Sequence, residues 1–306
     1  MRLGHFDLNL FIALDALLET KSVTKASERL HLGASATSSA LGRLREMFGD
    51  ELLVQVGRRL ELTPLAESLR EPVRDILLRS QAALSIKTGF DPATEERCFT
   101  FNASDYMTTV LLGLVARRLE AAAPGISIDV LGLGDNPRER LERGDVDFAI
   151  YPEKERSPDH PSAPLFEDSY TCIVWTENKL VGDTISFDDF MKLSHVTTQT
   201  GSNRQVSFEG WFFATFGYVR KVAVSVSTFN GLPPLVVGTN RIATVQTRLA
   251  REYATPLPLR LLAPPLDIPP LRMVLQWNQH RTDDPAHAWL RALLQEIARD
   301  DVSACR

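Results

Sequence analysis

Residues 30–64, LHLGASATSSALGRLREMFGDELLVQVGRRLELTP, place a helical apolar stripe beside a face of small polar side chains. Thr37, Leu41 and Leu44 recur at helical spacing, while most of the serines fall on the other side. This spacing predicts a helix that packs on one face and leaves the other face available for contact. Residues 51–63, ELLVQVGRRLELT, alternate apolar and polar side chains around a Gly-Arg-Arg tip and predict a short β-hairpin.

Two shorter helices are predicted before this segment. Residues 8–20, LNLFIALDALLET, follow Asp7 and carry apolar residues on one helical face. Residues 23–32, VTKASERLHL, begin at one of two hydroxyl capping candidates, Ser22 or Thr24. The order helix, helix, helix, hairpin predicts a winged helix-turn-helix in residues 1–63, a fold that places a helix in the DNA major groove.

Residues 64–90 predict a long amphipathic linker helix. Pro64 suits its first turn, whereas Pro72 interrupts the pattern and is expected to kink the helix. The apolar stripe at heptad-like spacing consists of Leu65, Leu69, Val73, Ile76, Leu77 and Leu84. Because this stripe has no obvious core of its own, we expect it to pack against the same stripe of a second copy, which would make the protein a dimer.

From Cys98 onward the pattern changes to alternating strands and helices, which predicts parallel sheets. Two proline-rich stretches, SPDHPSAP (157–164) and APPLDIPP (263–270), interrupt the alternation. We therefore expect residues 91–306 to form two α/β lobes, with lobe I made of residues 91–162 and 266–306 and lobe II of residues 163–265. The two crossings would act as hinges for a ligand cleft between the lobes.

The charge and composition of the chain restrict its partners. A net charge of −5 argues against a protein that binds polyanions over its whole surface. Residues 1–90 hold 12 Lys and Arg against 11 Asp and Glu, and the remainder holds 22 against 28, so any nucleic-acid contact should be local and N-terminal.

Targeting and cysteine patterns point to a cytoplasmic protein without a membrane partner. No apolar run reaches the roughly 20 residues that span a bilayer, and polar residues interrupt the N-terminus in a way that secretory signals do not. Cys98, Cys172 and Cys305 include no CxxC pair, so neither a zinc site nor a disulfide framework is indicated.

Together these segments resemble the LysR-type transcriptional regulators over essentially the whole chain. The motifs that carry the resemblance are DLNL (7–10), ALDALL (13–18), LGRLR (41–45), GDVDFAI (144–150), FNGLPPLVVGTNRIAT (229–244) and LQW (275–277). They look most like the nodulation-gene activators of rhizobia and the regulators of aromatic-degradation operons.

The resemblance implies an α+β protein with a winged helix-turn-helix, a linker helix and a two-lobed effector domain similar to periplasmic binding proteins. It implies a dimer or tetramer that binds an inverted-repeat promoter site. It also implies that the binding to DNA changes when a small molecule, here an aromatic inducer, enters the cleft. It also implies contact with RNA polymerase if the protein is an activator, and no cofactor. Gly33, Ala34 and Ser35 stand where the family usually has Ser-Gln-Pro, so a frequent base-edge reader is missing and the operator sequence stays undefined.

Small hydroxyl residues and arginines in the N-terminal segment are the candidates for DNA contact. A helix with short exposed side chains can approach base edges and phosphates closely, and Arg58 and Arg59 at the hairpin tip suit phosphate or minor-groove contact. The alternative is a solvated helix face and an ordinary charged turn. The predicted DNA-contacting residues are Thr24, Lys25, Ser35, Thr37, Ser38, Ser39, Arg43, Arg45, Arg58 and Arg59.

Candidate effector contacts lie where strands lead into helices. Ser104 and Asp105 can hold an anionic or phenolic oxygen at a helix start, although the same pair would also serve as a plain N-cap. A negative side chain there disfavours a carboxylate ligand, which favours a neutral phenol. Aromatic-responsive members of the family place a histidine at the cleft, similar to His195, and Phe229 could stack on a ring or simply fill a core. The predicted effector-contacting residues are Ser104, Asp105, Tyr106, His195, Thr200, Gly201, Ser202, Thr228, Phe229 and Asn230.

Three classes of function are compatible with these elements. The sequence contains no Walker loop, HExxH or GxSxG motif, although scattered Ser, His and Asp residues leave a catalytic triad open. The alternatives to a ligand-responsive regulator are an enzyme that acts on a small aromatic compound and carries a fused helical dimerisation segment, and a solute-binding protein. The winged head favours the regulator over both, and the lack of a signal sequence disfavours the solute-binding protein.

Overall fold

The computed structural model of the chain describes residues 7–84, 89–134, 137–198 and 208–304. It divides into two compact units, residues 1–86 and residues 87–306. Among the described residues, no helix combines the length and apolar character needed to cross a bilayer.

The N-terminal unit is a winged helix-turn-helix, as the sequence predicts. Its helices are α1 (Asn9–Thr20), α2 (Val23–Leu30), α3 (Ala34–Phe48) and α4 (Pro64–Leu84), and its hairpin strands are β1 (Leu53–Val56) and β2 (Arg59–Leu62). Ser22, one of the two capping candidates, accepts a hydrogen bond from the Lys25 backbone N–H at 3.3 Å. Gly49 ends α3 with a φ of 63°, a conformation that glycine adopts without strain.

The core of this unit is formed by leucines of α1 and α3. Leu14, Leu17 and Leu44 are at most 1% exposed, and the first residues of the hairpin are buried in the same core. Burial of each such side chain stabilises the fold by about 1.5–3 kcal/mol. The apolar stripes that define α1 and α3 in the sequence are therefore the packed faces.

The linker helix α4 differs from the sequence prediction in what covers its stripe. It runs through Pro72 as one helix. Val73 is 1% exposed, and Leu69 and Leu77 pack against the same core as α1 and α3. The expectation that this stripe lacks a core is therefore wrong, because three of its members bind the helix to its own head.

An ion-pair network reinforces this contact. The guanidinium of Arg74 lies 3.0 Å from the Asp15 carboxylate and 3.4 Å from that of Glu19, both on α1. Leu65, Ile76 and Leu84, members of the same stripe, are exposed. They are the apolar side chains of α4 that a second copy could cover.

The second unit contains two five-stranded sheets, one in each lobe. Lobe I has strands β3 (Arg97–Asn102), β4 (Ile126–Leu131), β5 (Phe148–Pro152), β6 (Ser162–Asp168) and β12 (Leu271–Trp277), in the order β4-β3-β5-β12-β6. Its helices are α5 (Asp105–Met107), α6 (Gly113–Ala122), α7 (Pro137–Glu142) and α11 (Pro285–Ala304), with a π-helical turn (Thr108–Leu112) between α5 and α6.

Lobe II has strands β7 (Tyr170–Trp175), β8 (His195–Thr198), β9 (Val222–Val226), β10 (Ile242–Gln246) and β11 (Leu259–Leu262), in the order β11-β7-β10-β8-β9. Its helices are α8 (Phe187–Lys192), α9 (Phe208–Phe216) and α10 (Thr247–Ala254). Helix α10 serves both lobes, because Leu249 packs in the core of lobe I and Ala250 in a core of lobe II.

Both sheets are mixed, which corrects the prediction of parallel sheets. Strand β12 runs antiparallel to β5 and β6, and β7 runs antiparallel to β10 and β11. Each of these strands comes directly after a crossing between the lobes. Parallel strands must be joined by a long crossover connection, usually a helix. No helix lies between either of these strands and the crossing before it, so the antiparallel direction is the one that the connection allows.

The lobe boundary also differs from the sequence prediction. Because β6 pairs with β12, residues up to Asp168 belong to lobe I and the first crossing lies at Ser169, not within residues 157–164. Leu165 and Phe166 explain the difference, since both are buried in the core of lobe I. Pro164 is tolerated because β6 is an edge strand.

Candidate DNA interface and effector site

The exposed face of α3 carries the hydroxyl side chains that the sequence places there. Ser35, Ser38 and Ser39 are exposed. Thr24 and Lys25, at the start of α2, are exposed as well. These five residues therefore meet the first requirement for contact with a nucleic acid, which is access.

Thr37 is fully buried, which excludes it from direct contact with DNA. Its hydroxyl donates to the Gly33 carbonyl oxygen at 3.3 Å, one turn earlier in the chain. The reason is its spacing, because Thr37 lies on the same face as Leu41 and Leu44. Its inclusion among the DNA-contacting residues was wrong.

Arg45 holds the end of α3 against the hairpin. Its guanidinium donates to the backbone oxygens of Glu51 at 2.9 Å and Leu53 at 3.1 Å, and it lies 3.1 Å from the Glu51 carboxylate. These bonds fix the side chain through Nε and one terminal nitrogen, so Arg45 has a structural role in this arrangement. Arg43 is exposed and forms a longer ion pair, 3.4 Å, with Asp7.

The tip of the wing is a two-residue turn that presents two cations. Val56 pairs with Arg59 across the hairpin, which leaves Gly57 and Arg58 as the turn, and Gly57 has a φ of 65°. Arg58 and Arg59 are both exposed. Both guanidinium groups are therefore available to DNA phosphates at the tip of the wing.

Sequence reasoning missed Lys21, which lies at the base of the wing. Its ammonium group is 2.6 Å from the Glu61 carboxylate on β2. This contact lowers the pKa of Glu61 from its ordinary value. The ion pair connects the end of α1 to the hairpin, a relationship that no spacing in the sequence indicates.

In lobe I, Ser104 and Asp105 begin the helix that follows β3. The Ser104 hydroxyl accepts a hydrogen bond from the Met107 backbone N–H at 3.4 Å, so Ser104 is an N-cap. The Asp105 carboxylate instead reaches lobe II, where it accepts hydrogen bonds from the backbone N–H groups of Phe229 at 3.1 Å and Asn230 at 2.7 Å.

Asn230 adds side-chain bonds to the same contact. Its amide nitrogen donates to the Asp105 backbone oxygen at 3.3 Å and to the Thr109 hydroxyl at 2.9 Å. The structure thus brings Asp105 together with Phe229 and Asn230, which lie more than a hundred positions later in the chain. Thr228, just before them, is exposed.

Tyr106 is 1% exposed and joins this contact to the crossing between the lobes. Its hydroxyl donates to Asp168 at 2.7 Å, and its ring meets the Phe229 ring edge to face at 6.3 Å. Burial and the Asp168 carboxylate raise the pKa of Tyr106 well above its ordinary value, and burial raises the pKa of Asp168. Asp168, which sequence reasoning missed, also accepts from the backbone N–H groups of Ser169 and Arg248.

His195 lies in the interior of lobe II and is separate from the contact around Asp105. It is fully buried, and its Nε2 atom lies 2.8 Å from the Phe190 carbonyl oxygen. Its Nδ1 atom lies 3.1 Å from the Arg220 guanidinium. The ring therefore offers no surface to a ligand in this arrangement, which corrects its placement at the cleft.

Three further effector candidates, Thr200, Gly201 and Ser202, lie outside the described residues. Within the described part of the chain, no group of three or more His, Cys, Asp or Glu side chains is arranged to hold a metal ion.

Two family models match the chain. One, described as the LysR substrate binding domain, matches residues 93–299. The other, described as bacterial regulatory helix-turn-helix protein, lysR family, matches residues 8–67. Together they cover both units of the structure.

Similar proteins of known name span nearly the whole chain. Nodulation protein D of Bradyrhizobium sp. (strain ANU 289) is 38% identical over 306 residues, which is 100% of this chain and 90% of that protein. Nodulation protein D 1 of Rhizobium tropici is 40% identical over 300 residues, 98% of this chain and 97% of that protein.

Solved structures agree with the fold. A probable transcriptional regulator from Pseudomonas aeruginosa is 30% identical, with a TM-score of 0.65 over 96% of this chain and 99% of its own. A full-length OxyR variant from the same organism has a TM-score of 0.68 at 14% identity, covers 96% of this chain and 98% of its own, and supports the fold alone.

Proposed function

Because the chain belongs to the LysR family of bacterial transcriptional regulators, we propose that it controls transcription in response to a small aromatic, and specifically a phenolic, inducer. Members of this family bind promoter DNA and small effectors and are not enzymes. The alternatives of an aromatic-modifying enzyme and of a solute-binding protein are therefore set aside.

The observation that carries the aromatic proposal is the ring pair of Tyr106 and Phe229 at the point where lobe I meets lobe II. Phe229 is only partly buried, so one side of its ring can receive an aromatic ligand. The neighbouring Asp105 carboxylate would repel a ligand carboxylate, and each of its oxygens keeps a lone pair, beyond the one bonded to a backbone N–H, that would accept from a phenol hydroxyl. Both features favour a phenol over an aromatic acid.

For DNA, we propose that α3 lies in the major groove and that the wing contacts the backbone. Ser35, Ser38 and Ser39 would approach base edges and phosphates, while Thr24, Lys25 and Arg43 would contact phosphates at the borders of the groove. Arg58 and Arg59 would reach phosphates or the minor groove beside it. The site is expected to be an inverted repeat, since a twofold dimer reads two equivalent half-sites.

Oligomerisation, which we propose as a dimer or tetramer in the cytoplasm, is supported by apolar surfaces in both units. On α4, Leu65 and Ile76 are exposed apolar side chains. In the second unit, a groove between α6 and the edge strand β4 presents Ala116, Pro124 and Ile128 beside the polar Glu120 and Ser127. An activator of this type would also contact RNA polymerase from its DNA-bound form.

The experiment that tests the proposal is recovery and sequencing of the genomic DNA that the purified protein retains, with and without a panel of phenols and matched benzoates. We expect one inverted-repeat site whose occupancy changes with a phenol and not with the corresponding benzoate. Phe229→Ala should reduce the response to the phenol about tenfold without loss of DNA binding, because it removes the ring stack. A response to benzoates alone would contradict the phenolic inducer.

A further inference from the structure

Asp105 forms a contact between the lobes with both oxygens of its carboxylate. Both oxygens of its carboxylate are used, one by the Phe229 N–H and the other by the Asn230 N–H. Hydrogen bonds between a carboxylate and backbone N–H groups are stronger than bonds between neutral groups. A single side chain of lobe I thus holds two consecutive peptide groups of lobe II.

The Asn230 side chain closes the same contact from the other direction. Its amide donates to the backbone oxygen of Asp105 and to the Thr109 hydroxyl, so lobe II also grips the start of the lobe I helix. Because the donors and acceptors are reciprocal, the two segments cannot separate without loss of several bonds at once. We refer to Asp105, Thr109, Phe229 and Asn230 as the clasp.

The residue after Asp105 connects the clasp to the crossing between the lobes. Tyr106 donates to Asp168, the last residue of β6, and Asp168 accepts from the first residues of the crossing and of α10. At that point the Thr247 N–H donates to the Ser169 carbonyl oxygen at 2.8 Å, and the hydroxyls of Ser169 and Thr247 lie 2.8 Å apart. Two consecutive residues of lobe I, Asp105 and Tyr106, therefore bond to the clasp and to the crossing respectively.

We propose that Asp105 is a regulatory residue whose clasp holds lobe II against lobe I, so that an effector that favours another arrangement of the lobes must work against it. The regulatory consequence rests on the proposed function, whereas the clasp itself does not. A ligand can shift such an equilibrium only by as much as its preference for one arrangement exceeds the strength of the clasp. Loss of the clasp should therefore mimic part of the effector response.

Hydrogen exchange on the full-length protein without any added compound tests the clasp. The variant is Asp105→Asn, which keeps the size of the side chain, and the control is Asp188→Asn, which removes the same charge from the exposed start of α8. Asp105→Asn should speed exchange of the Phe229 and Asn230 amides about tenfold or more. It should also speed exchange at Thr247 and Arg248, which Asp105 does not touch. Lobes that are no longer held by the clasp can move apart and break the hydrogen bonds that these two amides make at the crossing.

A second variant and a reporter assay complete the test. Thr109→Val removes the hydroxyl that bonds to both the carbonyl and the amide nitrogen of the Asn230 side chain, and it should change exchange at Thr247 in the same direction but less. Promoter output without inducer should differ from that of the Asp188→Asn control about threefold or more in Asp105→Asn. If exchange rises at Phe229 and Asn230 only, the contact is local, and the proposal that the clasp holds the two lobes together is wrong. If exchange rises at Thr247 while promoter output is unchanged, the regulatory role is wrong, and neither result depends on identification of the inducer.

Discussion

The Nδ1 atom of His195 accepts a hydrogen bond from the guanidinium of Arg220 at 3.1 Å, inside lobe II. Since Nε2 faces the Phe190 carbonyl oxygen, the ring is held as the neutral tautomer with its proton on Nε2. Arg220 lies over the Phe208 ring at 4.6 Å, and burial lowers its pKa to about 10, so it stays charged at neutral pH. Burial and this cation lower the pKa of His195 to about 4.

The stability of the second unit should consequently fall as the pH is lowered. The pKa of His195 is about 4 in the folded state against an ordinary value of 6.5, so between these values the unfolded chain binds a proton that the folded chain excludes. The full contribution is present above pH 6.5 and is lost progressively toward pH 4, with a magnitude of ~3 kcal/mol. Urea unfolding can be followed by tryptophan fluorescence, because all four tryptophans lie in this unit.

His195→Asn should lower the stability at pH 7 and flatten its dependence on pH relative to the wild type. Other buried histidines, such as His287, contribute to the same trend, so the difference between the two proteins is the relevant quantity. Equal slopes for wild type and His195→Asn would refute this assignment.

Replacement of Arg58 and Arg59 by Ala should weaken DNA binding about equally for all sequences. Each phosphate contact contributes about 0.9 to the slope of log affinity against log salt, so loss of two contacts should reduce the slope by about 2. Fluorescence anisotropy at several salt concentrations measures this slope. The matched control, Lys154→Ala with Arg156→Ala, removes two exposed charges from the second unit and should preserve it; an unaltered slope in the wing variant would place the tip outside the interface.

Thr37 and Ser38 are adjacent in sequence and should respond oppositely to replacement by Ala. Thr37→Ala removes a buried methyl group and a hydroxyl bonded to Gly33, so it should destabilise the N-terminal unit by about 1–2 kcal/mol while the preferred DNA sequence stays the same. Ser38→Ala should leave thermal stability unchanged and weaken specific binding. Circular dichroism melts and anisotropy separate the two effects, and weaker stability in Ser38→Ala would mean that its hydroxyl serves the fold.

Ile76 and Val73 should likewise separate association from folding on α4. Ile76→Lys places a charge at an exposed position of the helix and should shift the sedimentation equilibrium of the full-length protein toward monomer, with a loss in melting temperature that depends on protein concentration. Val73→Ala should lower the melting temperature through a cavity of one or two methyl groups in the head core. A dimer constant unaffected by Ile76→Lys would remove this side of α4 from the dimer interface, and fragment 1–90, predicted to dimerise, gives an independent check.

Periodic patterns predicted the local elements of this chain well, because each records which face of one helix or strand is buried. The helices around Leu14 and Leu44, the hairpin at Gly57 and the cap at Ser22 all follow from neighbours within a few residues. Periodicity does not state which other element covers a buried face. The sequence therefore predicts that the stripe of α4 packs against a second copy, although Val73 packs against the N-terminal unit of the same chain.

The functional contacts were harder to predict because they join distant parts of the chain. Asp105 and Phe229 were each proposed as ligand contacts from their positions between strand and helix, but nothing local indicates that they bond to each other. His195 was placed at the cleft by resemblance, whereas a single residue, Arg220, fixes its ring in the interior. Sequence patterns predict that candidate functional residues lie at the ends of strands. Which of these side chains bond to one another depends on the fold.

The position of β12 between β5 and β6 has a consequence for the order in which the chain is completed on the ribosome. All of lobe II lies between β6 and β12 in the sequence, so its five strands are synthesised before the strand that fills the gap in the sheet of lobe I. A nascent chain that ends at Leu262 can pair every strand of lobe II, while Leu165 and Phe166 still lack the neighbour that buries them. Lobe I begins first and finishes last, and its exposed strand edges are what a chaperone would meet during translation.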